Sequence, residues 1–255
     1  MPEQYENDPI LRKWINPHYL IPRVIEAIKE SSISKPHFSY AVLDNFFNED
    51  VLDEYIEQHK KLKFRADDPN LPYDSYAVYG EKGKSIGSEL FYHKPWHLLL
   101  AEYTGTPLEC AGEKTGVKLR AHTGDSKGFW IHTDRTSRKN AAMAVLIYLN
   151  KNWKESDGGL LQLWTQIEHS KPIDTVEYSW EEYGDKRLEY LNERYFLTTD
   201  LVTSEGLQAA ELFLIDQVTP EYNRIVLTDF IRDPGYHSIT PSNGRERYAV
   251  VQWLF

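Results

Sequence analysis

The sequence predicts a mainly β fold, a sandwich or jelly roll, with flanking helices that buttress one sheet. Two observations support this fold, and a third indicates a single domain. From Gly116 onward, short apolar segments follow one another at regular spacing, separated by turn-forming clusters such as 123–126 and 156–159. Helical periodicity is confined to the earlier part, so that helices come first and strands after. The length of 255 residues suits a single elaborated domain spanning 1–255.

The N-terminal part, residues 1–115, is expected to support the sheets. Its apolar residues recur at helical spacing in three places, and one apolar segment between them favours a strand. The turn-rich stretch 65–90 is not assigned. The expected elements are a helix over 21–31 that begins near Pro22, a strand over 38–47, a helix from an Asn48 cap to about Leu62, and a buried helix from Pro95 to near Gly105.

The C-terminal part, residues 116–255, is expected to form the β core. Residues 168–209 break its rhythm with an acidic, aromatic segment that predicts a helix within an insertion. Insertions of this length serve as binding lids or as solvated decorations, and both interpretations remain open. The predicted strands are 117–122, 128–134, 141–150, 159–165, 211–217, 224–230, 236–239 and 247–255.

Composition narrows the classes of partner. The net charge is −10 with no basic block, which argues against nucleic acid as the main partner. The single cysteine, Cys110, excludes disulfides and cysteine-based zinc sites within the chain. No apolar run approaches the roughly 18 residues of a membrane helix, so no membrane contact and a cytoplasmic location are expected.

His132 and Asp134 lie two residues apart on a predicted strand, which places both side chains on one face. A more distant histidine, His237, precedes the last strand. Two imidazoles and one carboxylate form the facial ligand set of ferrous oxygenases. The spacing of His132 and Asp134 alone also arises by chance. Three other histidines compete with His237 for the third position: His93, His97 and His169.

Arg247 opens the last strand and shares a face with Ala249 and Val251. A guanidinium makes a bidentate, charge-assisted pair with a carboxylate, so Arg247 can bind a small dicarboxylate beside a metal. Arg245 has the same parity and is the nearest rival, although exposure at the turn after Gly244 fits it better. Either arginine also fits a plain surface charge.

The segments His132-Thr-Asp134, Tyr148-Leu-Asn150, Asp157-Gly-Gly159 and His237 followed by Arg247-Tyr-Ala-Val-Val-Gln-Trp253 resemble the 2-oxoglutarate/Fe(II) dioxygenases, most closely their prolyl-4-hydroxylase-type branch. The resemblance implies a double-stranded β-helix that holds Fe(II) through His132, Asp134 and His237. It also implies 2-oxoglutarate anchored by Arg247, O2 as oxidant, and ascorbate as a reductant. The implied reaction hydroxylates an unactivated C–H bond of an amino acid, prolyl peptide or small natural product, releasing succinate and CO2.

Two positions bear on this resemblance. The branch usually has a tyrosine about ten residues before the first metal ligand, and here that place falls near His122. His122 can donate a similar hydrogen bond, belong to the substrate pocket, or be an edge-strand histidine without a role. Relatives that halogenate carry Gly or Ala where this chain has Asp134, so hydroxylation is the expected outcome. Two alternatives remain, a zinc lyase or hydrolase using the same ligands and a catalytically silent β-sandwich that binds a partner.

Overall fold

The computed structural model describes residues 3–36, 39–66, 75–107, 114–132, 134, 141–166, 194–199, 208–232 and 235–255. The described strands form two antiparallel sheets, and helices cover the outer face of the larger one. The predicted mainly β fold with flanking helices is therefore confirmed. The helices are α1 (Glu3–Glu6), α2 (Pro9–Trp14), α3 (Pro22–Ile33), α4 (Glu49–His59), α5 (Ser88–Phe91) and α6 (Lys94–Thr104), with 3-10 turns at Pro17–Leu20 and Glu155–Asp157.

The larger sheet has seven strands in the order β1-β10-β6-β12-β4-β3-β2, and the smaller has five in the order β5-β11-β7-β9-β8. Strands distant in sequence thus become neighbours, as a jelly roll requires. The strands are β1 (Tyr40–Leu43), β2 (Arg65–Ala66), β3 (Ser75–Tyr79), β4 (Thr115–His122), β5 (Phe129–His132), β6 (Met143–Tyr148), β7 (Leu161–Gln166), β8 (Arg194–Thr199), β9 (Gln208–Val218), β10 (Arg224–Asp229), β11 (Tyr236–Ile239) and β12 (Arg247–Leu254).

Strand β6 is central to the larger sheet and is buried on both faces. Its alternate residues divide between two apolar clusters, as period-2 geometry dictates. Val145 and Ile147 face the helices together with Val250 and Leu254 of β12. Leu146 and Tyr148 face the smaller sheet, where they meet Leu163 and neighbouring residues. The inner face between the two sheets is where the predicted site residues converge.

The N-terminal helices pack on the outer face as expected. The helix predicted from Asn48 is α4, and its predicted stripe buries Leu52, Tyr55 and Ile56. The cap itself differs from the prediction, because the Asn48 side chain makes no capping hydrogen bond. Its amide nitrogen instead donates to the carbonyl oxygens of Arg12 and Lys13, tying α4 to the end of α2. No helix among the described residues is both long and apolar enough to cross a membrane.

The structure adds two strands that the sequence does not predict. The unassigned stretch 65–90 contains strand β3, which pairs with β4 and widens the larger sheet. The proposed insertion 168–209 contains β8, which pairs with β9 at the edge of the smaller sheet. The predicted helix around residues 178–191 lies outside the described residues.

Candidate active site

The smaller sheet brings the two predicted histidine ligands together. Strands β5 and β11 are antiparallel neighbours, and His132 stands directly opposite His237 in their register. Asp134 follows β5 by two residues and is buried. Residues directly opposite in an antiparallel pair are the closest cross-strand neighbours. The fold therefore places the backbone of the three predicted ligands at one end of the inter-sheet space, while the side chain of His132 lies outside the described part.

His237 is held in a conformation suited to a metal ligand. Its Nδ1 donates a hydrogen bond to the carbonyl oxygen of Gly235 at 2.8 Å, which fixes the tautomer and directs the Nε2 lone pair away. Its ring stacks on Phe230 with 6.0 Å between centroids and 13° between planes. Nε2 lies 3.7 Å from Oδ2 of Asp134, so that the two donor atoms converge.

Asp134 is oriented by a tryptophan from the larger sheet. The indole Nε1 of Trp253 donates to Asp134 Oδ2 at 2.6 Å, and both residues are buried. Trp253 closes the sequence motif quoted above, yet the sequence does not indicate this contact. Among the described side chains, no three His, Cys, Asp or Glu residues are placed so that they could hold a metal ion together. Asp134 and His237 are the two described members of the predicted set.

Farther along the inner face, three buried polar side chains meet. Arg247 of β12 stands opposite His122 of β4, and on the other side Ala249 stands opposite Tyr148 of β6. Arg247 is only 1% exposed, and its guanidinium carbon lies 5.5 Å from the Tyr148 ring centroid. Within the described residues, Arg247 Nε, both ring nitrogens of His122 and the Tyr148 hydroxyl have no hydrogen-bond partner.

A buried guanidinium with an unpaired Nε is costly, because burial removes the water that would otherwise solvate its charge. Burial lowers the pKa of Arg247, and an arginine nonetheless keeps its charge in proteins. Burial lowers the pKa of His122 well below its usual range, and the charges of Arg247 and Arg120 lower it further, so His122 is neutral. Burial raises the pKa of Tyr148, which keeps its hydroxyl able to donate. These residues together form a pocket complementary to an anion.

The structure explains why position 159, in the Asp-Gly-Gly segment, is a glycine. Its φ of +64° is in the left-handed region, and a Cβ at this position would lie 2.9 Å from Cδ of Arg247. Glycine thus lets the chain pass directly over the arginine stem. Any larger residue would displace the side chain that the anion pocket depends on.

Arg245 is engaged elsewhere. Its guanidinium donates to Asp157 Oδ2 at 2.7 Å and to the carbonyl oxygens of Asn152 and Lys151, and it lies 5.0 Å from the Trp153 ring centroid. These contacts fasten the loop between β6 and β7. The structure therefore brings Arg247 and His122 together, whereas the described contacts of Arg245 are all with this loop.

Two residues of the site carry no role in the sequence-based prediction. Tyr148 appears only as part of a motif, because a strand buried on both faces shows no alternation that would reveal its inner side. Arg120 also faces this space, beside His122 on β4. Both could have been found only from the strand register. Two of the competing histidines make contacts elsewhere: His93 contacts Asp8, and His97 contacts the carbonyl oxygen of Phe91. His169 lies outside the described residues.

Comparison with known families decides the class of protein. Residues 117–255, more than half of the chain, match the family model of the 2OG-Fe(II) oxygenase superfamily. The chain belongs to this superfamily. It is thus an enzyme of the 2-oxoglutarate-dependent dioxygenase class, and its fold is the double-stranded β-helix that the resemblance implied. No curated protein is similar enough in sequence to count as a relative.

Several solved structures share this oxygenase fold. A Pseudomonas putida prolyl-4-hydroxylase has a TM-score of 0.58 and 14% identity, covering 90% of this chain and 97% of its own. A Trichoplax adhaerens prolyl hydroxylase, in complex with a hypoxia inducible factor peptide, has a TM-score of 0.53 and 15% identity. The match covers 91% of this chain and 89% of the prolyl hydroxylase chain. The epimerase SnoN, in complex with Fe3+, alpha ketoglutarate and nogalamycin RO, has a TM-score of 0.56 and 11% identity. The match covers 89% of this chain and 82% of the SnoN chain. At these identities the similarity concerns the fold.

Proposed function

We propose that this oxygenase hydroxylates an unactivated C–H bond of an amino acid, a prolyl peptide or a small natural product. The reaction consumes 2-oxoglutarate and O2 and releases succinate and CO2. The observation that carries the proposal is the shared inner face. The His132–His237 register and Asp134 lie at one end, and the buried cationic pocket of Arg247, His122 and Tyr148 lies at the other. A metal and a dicarboxylate fit these two ends.

The residues at the first end suit Fe(II). Imidazole nitrogen and carboxylate oxygen are its usual protein donors, and a set of three leaves coordination positions open. His132, Asp134 and His237 would hold the metal, which when bound supplies the site for the oxoacid and for O2. Hydrogen bonds orient two of these ligands: His237 donates to the carbonyl oxygen of Gly235, and Asp134 accepts from the indole nitrogen of Trp253. Ascorbate, as a reductant that keeps the iron ferrous, belongs to the proposal as well.

The residues at the second end suit the far carboxylate of 2-oxoglutarate. Arg247 offers a charged fork, and Tyr148 and neutral His122 each offer a donor in a water-excluded pocket. Arg245, the rival from the sequence, has its fork occupied by Asp157 and two backbone carbonyls. We therefore assign the carboxylate to Arg247, with His122 in the position that the branch usually gives to tyrosine.

Asp134 favours hydroxylation over halogenation, because a carboxylate occupies the position that halogenating relatives leave empty. The substrate class stays open between peptide and small molecule. Relatives in fold include both a prolyl hydroxylase with a peptide and an epimerase with nogalamycin RO. With one cysteine in the chain, we keep the cytoplasm as the proposed location, where a reducing environment helps to keep iron ferrous.

The decisive experiment adds Fe(II) and 2-oxoglutarate to the metal-free protein under anaerobic conditions. We expect a weak visible charge-transfer band, which His132→Ala abolishes, followed in air by succinate release that a substrate stimulates. A screen of amino acids, prolyl peptides and metabolites for stimulated succinate release then identifies the substrate. If no band forms and His132→Ala binds metal as the wild type does, the oxygenase proposal is wrong, and zinc binding with hydrolysis would support the alternative class.

A further inference from the structure

A row of basic side chains runs along one strand of the candidate site. Lys118, Arg120 and His122 alternate on β4 and therefore share a face. In the β12 register they stand opposite Val251, Ala249 and Arg247, respectively, which identifies this face as the inner one. The row thus flanks the two small apolar residues that separate the Arg247 pocket from Trp253. The proposed function assigns the cosubstrate carboxylate to Arg247 and gives no role to Arg120 and Lys118.

Arg120 is held in place by an aromatic ring of the opposite sheet. Its guanidinium carbon lies 5.0 Å from the ring centroid of Phe129, the first residue of β5, and the residue is 9% exposed. The same ring meets His122 edge-on at 5.5 Å between centroids. The Arg120 charge lowers the pKa of both His122 and Arg247, so two guanidinium charges act on one enclosed space.

Lys118 continues the row toward the metal end and toward solvent. Its Nζ lies 5.9 Å from the Trp253 ring, whose indole nitrogen binds Asp134, and 4.9 Å from the ring of Tyr79. Tyr79 is 60% exposed, which makes it one of the few large exposed hydrophobic residues described. The row therefore leads from an exposed aromatic ring past the proposed metal end to the buried arginine.

We propose that Arg120 and Lys118 bind an anionic group, a carboxylate or a phosphate, of the molecule that the enzyme hydroxylates. This inference rests on the proposed function, because it assumes that 2-oxoglutarate occupies the Arg247 pocket. Arginine pairs with either anion through its planar fork, and lysine adds a point charge. In a chain with a net charge of −10, a row of cations beside the reaction site selects an acidic substrate rather than a cationic one.

The test measures binding rather than turnover. The wild-type enzyme, loaded anaerobically with Fe(II) and saturating 2-oxoglutarate, is titrated by calorimetry with N-acetylglycine and with N-acetylglycinamide, which differ by one negative charge. Ethyl phosphate tests whether phosphate serves equally well. We expect the acid to bind at least about tenfold more tightly than the amide. The charge-transfer band reports throughout that 2-oxoglutarate stays bound, so displacement from the Arg247 pocket is recognised.

Variants then test which residues cause the preference for N-acetylglycine over N-acetylglycinamide. Arg120→Gln and Lys118→Met should each reduce this preference, and the double variant should abolish it. Arg120→Lys should keep most of it, which separates loss of charge from loss of folding. Matched controls are Arg23→Gln and Lys84→Met on the exposed surface, where the preference should stay unchanged.

Equal binding of acid and amide by the wild type would overturn the inference. So would a preference that survives in the double variant, because Arg120 and Lys118 would then serve internal contacts alone. A missing charge-transfer band in the wild type is a different failure. It counts against the proposed cosubstrate site, whereas the calorimetric comparison of acid with amide still tests the basic row by itself.

Discussion

The indole nitrogen of Trp253 donates a hydrogen bond to the carboxylate of Asp134 at 2.6 Å, joining the last strand of the chain to a proposed metal ligand. The two residues belong to opposite sides of the inter-sheet space, since Trp253 belongs to β12 and Asp134 follows β5. A hydrogen bond to a ligand carboxylate fixes its orientation. The contact therefore couples the geometry of the site to the packing of the two sheets.

Trp253→Phe should weaken metal binding without unfolding the protein. Loss of a contact behind a ligand typically reduces metal affinity by about 10–100-fold. The measurement is an anaerobic Fe(II) titration together with the melting temperature. Trp96→Phe is the matched control, because the Trp96 indole donates to Gln252 on the outer face of β12. It should lower stability by about 1 kcal/mol and leave metal affinity unchanged. Equal metal affinity in both variants would contradict the assignment.

Arg247→Ala should weaken 2-oxoglutarate binding far more than Arg245→Ala does. Loss of a charge-assisted pair costs about 1.5–3 kcal/mol, or roughly 10–100-fold in Kd. Arg245→Ala should instead lower the melting temperature, because it releases Asp157 and the loop carbonyls from their contacts. A 2-oxoglutarate titration of the Fe(II) enzyme distinguishes the two. The reverse order of effects would exchange the roles of the two arginines.

His122→Phe should stabilise the enzyme that lacks 2-oxoglutarate and weaken its affinity for 2-oxoglutarate. Both ring nitrogens of His122 are buried without a described partner, and an unsatisfied buried polar group costs about 1–3 kcal/mol. The edge-on contact with Phe129 suits a phenyl ring equally well. The measurements are melting temperatures with and without 2-oxoglutarate. His122→Tyr restores a donor and should recover affinity, while unchanged affinity in His122→Phe would remove His122 from the cosubstrate site.

The strands of the core were largely predictable from the sequence, whereas the relations between them were not. Turn clusters and apolar segments bound β4, β6 and β12 to within a few residues. Strand β8 was missed, because it lies next to an acidic segment whose composition favours a helix. Strand β3 was missed inside a turn-rich stretch. The spacing of apolar residues predicts a strand or helix only where that spacing matches the faces that the folded protein buries.

The candidate site shows the same division. His132, Asp134, His237 and Arg247 each stand in a specific motif, so the sequence alone proposes them as candidates, and their roles stay predictions. Tyr148 was not proposed, since β6 is buried on both faces and its sequence shows no alternation. Its position beside Arg247 follows from a register that links strands about 100 residues apart in sequence. Registers of this kind are set by the packing of the whole sheet and are not encoded locally.

Acid should destabilise the fold through a buried histidine of α4. His59 is fully buried against Phe64 and Tyr248, and its Nε2 donates to the carbonyl oxygen of Arg120 at 3.1 Å. Burial lowers the pKa of His59 to about 4, although the bond to Arg120 partly opposes the shift. The unfolded chain, with an ordinary pKa near 6.5, therefore binds a proton at a pH where the folded chain does not.

The sign of the pH effect follows from this difference. Stability from neutral His59 is complete above about pH 6.5 and is lost as the pH falls toward 4, with a total on the order of 3 kcal/mol. Burial lowers the pKa of His122 in the same direction. His59→Gln retains an amide donor for the Arg120 carbonyl and cannot titrate. Urea unfolding between pH 7 and 4.5 should therefore show a shallower loss of stability in this variant, and equal slopes in variant and wild type would exclude His59 as a source of the acid sensitivity.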